Sequence, residues 1–180
     1  MLTPRQEPLL TESQIRERID QLAEKIVADL GTDKPFVLAG LLRGCFMFTA
    51  DLVRALSIRG ATLKELDFMV ASSYGSGTES SRKIDIQRDL QADISGQRVL
   101  LVDDIIDTGH TLKLTRDMLL TRGPEYVKTV TLLDKPERRE IDMEADYSCF
   151  SIPNLFVIGF GLDYDQKYRE LPYITVMEEV

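Results

Sequence analysis

Only two cysteines, Cys45 and Cys149, occur in the 180 residues, and His110 is the single histidine. Two cysteines make no disulfide framework, and in a reducing compartment both stay thiols that pack as small hydrophobes. No apolar run approaches the length of a membrane span. The opening Met1-Leu2-Thr3-Pro4-Arg5-Gln6-Glu7 lacks the apolar core of a signal peptide, so a cytoplasmic location is expected. Basic residues are in deficit, 22 Lys and Arg against 30 Asp and Glu, for a net charge of −8. That balance argues against a general nucleic-acid binder, which wants a basic face. A polyanionic substrate would need local positive charge from Mg²⁺, Arg, Lys and helix N-termini. Internal repeats, low-complexity tracts and linkers rich in Gly, Ser or Pro are also missing, so one domain over 1–180 is expected.

What is there alternates between two periodicities. Thr11-Glu12-Ser13 followed by Ile15, Ile19, Leu22, Ile26 and Leu30 predicts a capped amphipathic helix ending before Gly31. Short apolar stretches at 36–39, 66–72, 127–133 and 155–158 read as strands, and 46–56 as a helix. Strands alternating with helices imply an α/β fold with a parallel sheet and right-handed crossovers. Residues 73–89 are small and polar around Tyr74-Gly75-Ser76-Gly77-Thr78, and read as a mobile connection or a long hairpin tip.

The densest information lies at 99–111. Val99, Leu100, Leu101 and Val102 suit a strand buried on both faces, with Asp103 and Asp104 at its carboxyl end. Leu112, Leu114, Met118 and Leu119 restart a helical pattern, so Thr108, Gly109 and Thr111 fall where backbone N–H groups and hydroxyls meet an anion. In open α/β sheets that crevice is the usual ligand position.

The run Asp103-Asp104-Ile105-Ile106-Asp107-Thr108-Gly109-His110-Thr111 resembles the signature of the type I phosphoribosyltransferases, and the acid at Asp107 resembles its hypoxanthine (guanine) branch. The resemblance extends over about 36–173. It implies the type I phosphoribosyltransferase fold: a mainly parallel sheet flanked by helices, a small hood from the N- and C-terminal segments, and a lid at about 73–89 whose base is Ser73 and Tyr74. A closing lid suits a reactive sugar cation that must be kept from water. The implied reaction is displacement of pyrophosphate from phosphoribosyl pyrophosphate by N9 of hypoxanthine or guanine, giving IMP or GMP, with Mg²⁺ offsetting leaving-group charge.

Roles follow residue by residue from the resemblance. Asp103 and Asp104 would hold the ribose hydroxyls and contribute to the metal site. Thr108, Gly109, His110 and Thr111 would bind the 5-phosphate, His110 mainly through its backbone. Leu42, Arg43 and Gly44 would bind pyrophosphate after a cis peptide between Leu42 and Arg43, and Arg169 would face the same group. Asp107 would act as general base or proton shuttle; an Asp before Thr-Gly is equally a helix N-cap. Lys135 would donate to O6 of the purine and so select 6-oxopurines. Phe156 would stack on the base, Val157 would contact its edge, and Asp163 would lie by the base as well as position a second Mg²⁺. Asp103 departs from the Glu of many relatives, and Arg43 from the Lys of some.

The resemblance also implies a homodimer or homotetramer. Two rivals stay open: a transferase preferring xanthine or guanine, and a nucleotide-sensing RNA-binding regulator on the same scaffold, since fold does not fix function. The acid at Asp107, Lys135 and the negative net charge count against the regulator.

Overall fold

A computed structural model describes residues 2–74 and 83–179. The first helix, α1 (Glu12–Leu30), opens with a capping box: Gln14 N donates to Thr11 Oγ1 at 3.3 Å, and Thr11 N donates to Gln14 Oε1 at 2.8 Å. Two orphan amides are thereby satisfied before the apolar stripe begins. Ile15, Ile19, Leu22 and Ile26 of that stripe are buried. Two further helices follow, α2 (Phe46–Ile58) and α3 (His110–Leu120).

The strands are β1 (Leu2–Pro4), β2 (Phe36–Leu41), β3 (Leu63–Tyr74), β4 (Lys83–Arg88), β5 (Arg98–Ile106), β6 (Tyr126–Asp134), β7 (Tyr147–Ser151), β8 (Val157–Ile158) and β9 (Thr175–Glu179). Six form one sheet in the order β4-β3-β2-β5-β6-β7, parallel except for the β3–β4 hairpin. The apolar run at 99–102 is continuous because both faces are covered. Leu100 and Val102 join α1 and α2 in one core cluster, while Val99 and Leu101 join Leu112 and Leu119 of α3 in the other. The chain winds away from β2 through α2 to β3, and in the other direction from β5 through α3 to β6, so the neighbours β2 and β5 flank the point where strand order reverses. A crevice at their carboxyl ends follows from that topology alone.

Three expectations need correction. Residues 83–88, read as part of a connection, are strand β4, paired with β3 from Tyr74↔Lys83 to Val70↔Arg88; the alternation Ile84, Ile86 against Asp85, Gln87 was its signal. The core of the expected lid, 75–82, lies outside the described residues. The strand at 155–158 shrinks to Val157–Ile158 and belongs to a separate antiparallel sheet, β1-β9-β8, built from distant parts of the chain. Strand β5 runs on through both acids to Ile106, because Asp103, Ile105 and Ile106 still pair with β6. Strands β1, β7 and β9 were not anticipated, being short or terminal. No described helix is long and apolar enough to cross a membrane, and both cysteines are free and buried.

Candidate active site

The cleft at the end of β5 measures about 240 Å³ and is lined by Asp103, Asp104, Ile105, Ile106, Asp107, Thr108, Gly109, Thr111 and Leu112. Helix α3 begins at His110 with Gly109 as its N-cap, φ 91°, and no side-chain cap. A residue with a Cβ is strained at that φ, so glycine lets the loop turn directly into the helix. The N-cap role considered for Asp107 is thus overturned: the cap lies two residues later. With Gly109, Thr111 and Leu112 on the cleft wall, the positive end of α3 abuts it, as an anion requires.

Asp103 and Asp104 are half-buried. Asp104 N donates to Asp103 Oδ1 at 2.9 Å, and Ile105 N to Asp104 Oδ1 at 2.7 Å. Burial, and then repulsion from Asp104, pushes the Asp103 carboxyl well above the usual range; burial also raises Asp104, with Arg169 as a partial offset. The pair therefore holds negative charge that a cation or a carbocation-like sugar would relieve.

The loop after β2 is brought against this pair by a missing side chain. A Cβ on Gly44 would stand 1.5 Å from Asp104 Oδ2, so only glycine admits the carboxylate. The bond between Leu42 and Arg43 is cis, as the resemblance implied. Leu42 N donates to Met69 O at 2.9 Å, tying the loop to β3. Arg43 is exposed, and its Nη1 donates to Gln166 Oε1 at 2.9 Å. Arg169 donates to the same oxygen at 3.1 Å, to Gly161 O at 2.8 Å, and pairs with Asp163 Oδ1 at 2.8 Å. The loop at 42–44 and Arg169, far apart in sequence, thus meet beside Asp104. Gln166 was not anticipated from sequence; a glutamine in a polar turn carries no local signal.

On the opposite flank Lys135 is 7% exposed, although Lys-Pro after a strand reads in isolation as a solvated turn. Its N donates to Ile106 O at 3.0 Å. Burial lowers the ammonium pKa, and Asp107 nearby partly opposes that. The following residues brace the 107–109 loop. Arg138 Nε donates to Asp107 Oδ1 at 3.1 Å, Arg139 donates to Asp107 O and to Asp134, and Glu140 N donates to Thr108 O at 3.1 Å. The His110 ring is buried and meets Glu140 Oε2 at 3.2 Å, so it turns into this brace and is absent from the cleft lining. Arg138, which sequence reasoning did not single out, is the closest described cation to the Asp107 carboxylate.

Phe156, which an apolar strand would ordinarily bury, is 51% exposed; its ring meets Tyr164 edge-on, 5.8 Å between centroids at 89°. Val157 is buried in the small sheet. The backbone of Ser73 and Tyr74 ends β3, paired with Ile84 and Lys83. Asp163 is engaged by Arg169 and by Gln166 N at 2.8 Å. Among the described residues no group of three or more His, Cys, Asp or Glu stands close enough to hold a metal, so Asp163 does not complete a cage with Asp103 and Asp104. Mg²⁺ fits such a setting nonetheless, since it takes one or two carboxylates and draws its remaining oxygens from phosphates and water.

Comparison with known proteins agrees with this arrangement. Residues 6–165 match the model of the phosphoribosyl transferase domain. The chain is 48% identical over 171 residues to the hypoxanthine-guanine phosphoribosyltransferase of Streptococcus pneumoniae, covering 95% of this chain and 92% of that protein. It is likewise 48% identical to the hypoxanthine phosphoribosyltransferase of Escherichia coli K12, covering 93% of each. The structure superposes on the hypoxanthine phosphoribosyltransferase of Trypanosoma cruzi in complex with the product IMP with a TM-score of 0.89 and 43% identity, over 96% of this chain and 94% of that one. On its acid pair, the glycine turn into α3 and these matches, the chain belongs to the phosphoribosyl transferase family.

Proposed function

We propose that this protein transfers the 5-phosphoribosyl group from phosphoribosyl pyrophosphate to N9 of hypoxanthine, and of guanine, releasing pyrophosphate and forming IMP or GMP in purine salvage. The observation that carries the choice of base is Lys135, a buried residue whose ammonium feels the charge of Asp107 in the cleft wall. A buried donor accepts a 6-oxo group and rejects a 6-amino group, which would face it with another donor. The exposed ring of Phe156 offers a flat apolar face for the purine.

The family resemblance supports a division of labour among these residues. Thr108, Gly109, His110 and Thr111 at the start of α3 receive the 5-phosphate. Asp103 and Asp104 accept from the ribose hydroxyls, and their negative potential favours the positive charge that develops on the sugar as the bond to pyrophosphate lengthens. Leu42, Arg43, Gly44 and Arg169 take the departing pyrophosphate. Asp107 accepts from the N7 side of the base and carries the proton, so that N9 is the nucleophile. Asp103 and Asp104 would hold one Mg²⁺ and Asp163 would position a second, each with substrate oxygens completing its shell, and the metal would neutralise leaving-group charge. Ser73 and Tyr74, at the end of β3, are the base of the proposed lid, and the β1-β9-β8 sheet is the hood of a single domain over 1–180. The enzyme acts in the cytoplasm as a homodimer or homotetramer.

The test is pyrophosphate release from phosphoribosyl pyrophosphate and Mg²⁺ with hypoxanthine, guanine, xanthine, adenine, orotate and uracil. Turnover with the first two supports the reading. Binding of the sugar diphosphate with no turnover of any base moves it to a nucleotide-sensing regulator, and a marked preference for xanthine moves it to that branch.

A further inference from the structure

The turn at 164–167 is closed by Tyr164 N to Lys167 O at 3.2 Å and Lys167 N to Tyr164 O at 3.0 Å. Its two central residues, Asp165 and Gln166, have φ of 52° and 64°, the mirror-image turn ordinarily given to Asn and Gly. A glutamine there is held in a sparsely populated conformation, which persists only where the surroundings over-determine it. Three bonds do so. Gln166 N donates to Asp163 Oδ2 at 2.8 Å, and Gln166 Oε1 accepts from Arg43 Nη1 at 2.9 Å and from Arg169 Nη2 at 3.1 Å.

Two guanidinium groups thus converge on one neutral oxygen, from residues 123 and 3 positions away in the chain. A neutral acceptor satisfies one N–H of each and adds no negative charge of its own, although Arg169 is also paired with the Asp163 carboxylate. Arg43 has no carboxylate partner among the described residues, so its full charge remains for a ligand. Arg169 is further fixed by Gly161 O and Asp163. Free arginine side chains lose several rotatable bonds when an anion binds, and a pre-set pair loses fewer.

We infer that Gln166 is a positioning residue for pyrophosphate: its amide oxygen gathers Arg43 and Arg169 beside Asp104, so that the diphosphate meets two oriented guanidinium groups. This rests on the proposed transferase reading. Gln166 touches no reacting atom, and its effect falls on diphosphate binding and not on the purine.

Gln166→Asn is the informative variant. Asn tolerates positive φ, so the turn is kept, while the shorter arm withdraws the acceptor from both arginines. Gln166→Gly, which suits the same φ, is the second variant should the first fold poorly. Expected is a rise of about tenfold in KM for phosphoribosyl pyrophosphate, and for pyrophosphate in the reverse reaction with IMP, with KM for hypoxanthine and the melting temperature little changed. The same substitution in an Arg43→Met background has a smaller effect, because the two act through one contact. Unchanged diphosphate constants in an active protein overturn the inference, as do effects that add fully with Arg43→Met or that strike hypoxanthine equally. A wild type that binds pyrophosphate by calorimetry yet turns over no base overturns the transferase reading instead; the pyrophosphate affinity of Gln166→Asn then decides the inference.

Discussion

Arg138 and Asp107, 31 residues apart, meet Nε to Oδ1 at 3.1 Å, so the carboxylate proposed to move the purine's proton rests against a guanidinium before any base arrives. Both side chains are close to half exposed, 45% and 41%, and an ion pair so wet contributes about 0–1 kcal/mol to stability. Arg138→Gln should therefore shift the melting temperature by less than about 4 °C. Asp107→Asn should leave the fold intact and lower kcat by about 10²–10⁴-fold, the ordinary weight of a general base. Thermal melts beside steady-state rates check both; a large loss of stability in either variant would show that the pair holds the loop together.

Gly44→Ala should be severe for its size. The new methyl would stand 1.5 Å from Asp104 Oδ2, and either the loop or the carboxylate must move. Overpacking of this kind costs about 1–3 kcal/mol, and the displacement falls on the groups proposed to hold ribose and pyrophosphate. Chemical denaturation and the KM for phosphoribosyl pyrophosphate should both register it, with KM for hypoxanthine the less affected.

Lys135→Met removes a buried ammonium while keeping the aliphatic stem. Because burial already depresses the pKa of the group, stability should hold or rise. The preference for hypoxanthine over adenine should fall by about 10–10²-fold, the worth of one hydrogen bond from a charged donor. Competition between the two bases for a fixed supply of phosphoribosyl pyrophosphate measures it.

The acid pair predicts a pH dependence of the ligand-free protein. Folding raises the Asp103 and Asp104 pKa values above that of a free carboxyl, so the folded state binds more protons than the unfolded chain between the ordinary carboxylate range and the raised values. The pair's contribution to stability is thus greatest in acid and declines as pH rises through that window. Asp103→Asn should flatten the decline and stabilise the ligand-free protein near neutral pH while weakening sugar-diphosphate binding. Mg²⁺ with phosphoribosyl pyrophosphate should raise the melting temperature of the wild type more at pH 7 than at pH 5, as read by scanning calorimetry.

Much of the fold was legible because its signals are local. The Thr11 box and the stripe Ile15, Ile19, Leu22, Ile26 specify α1 within one window, and the unbroken run at 99–102 announces a strand covered on both faces. The small sheet was not legible. Strand β8 has two residues, and it exists only because Val157 and Ile158 find Val176 and Thr175 near the other end of the chain. Phe156 shows the same divide: its neighbours mark it as core, and only the turn of the backbone before β8 leaves it exposed.

The sequence by itself determined the strand, the two acids, the 107–109 loop and the helix at 99–120, since hydrophobic period, turn chemistry and helix entry act between residues a few positions apart. Tertiary structure alone decided which distant groups face that loop: Gly44 beneath Asp104, Gln166 between Arg43 and Arg169, Arg138 against Asp107, and Lys135 buried and not solvated. Those contacts join segments up to 123 residues apart, and they arise from strand order and close approach, which no local pattern of side chains encodes.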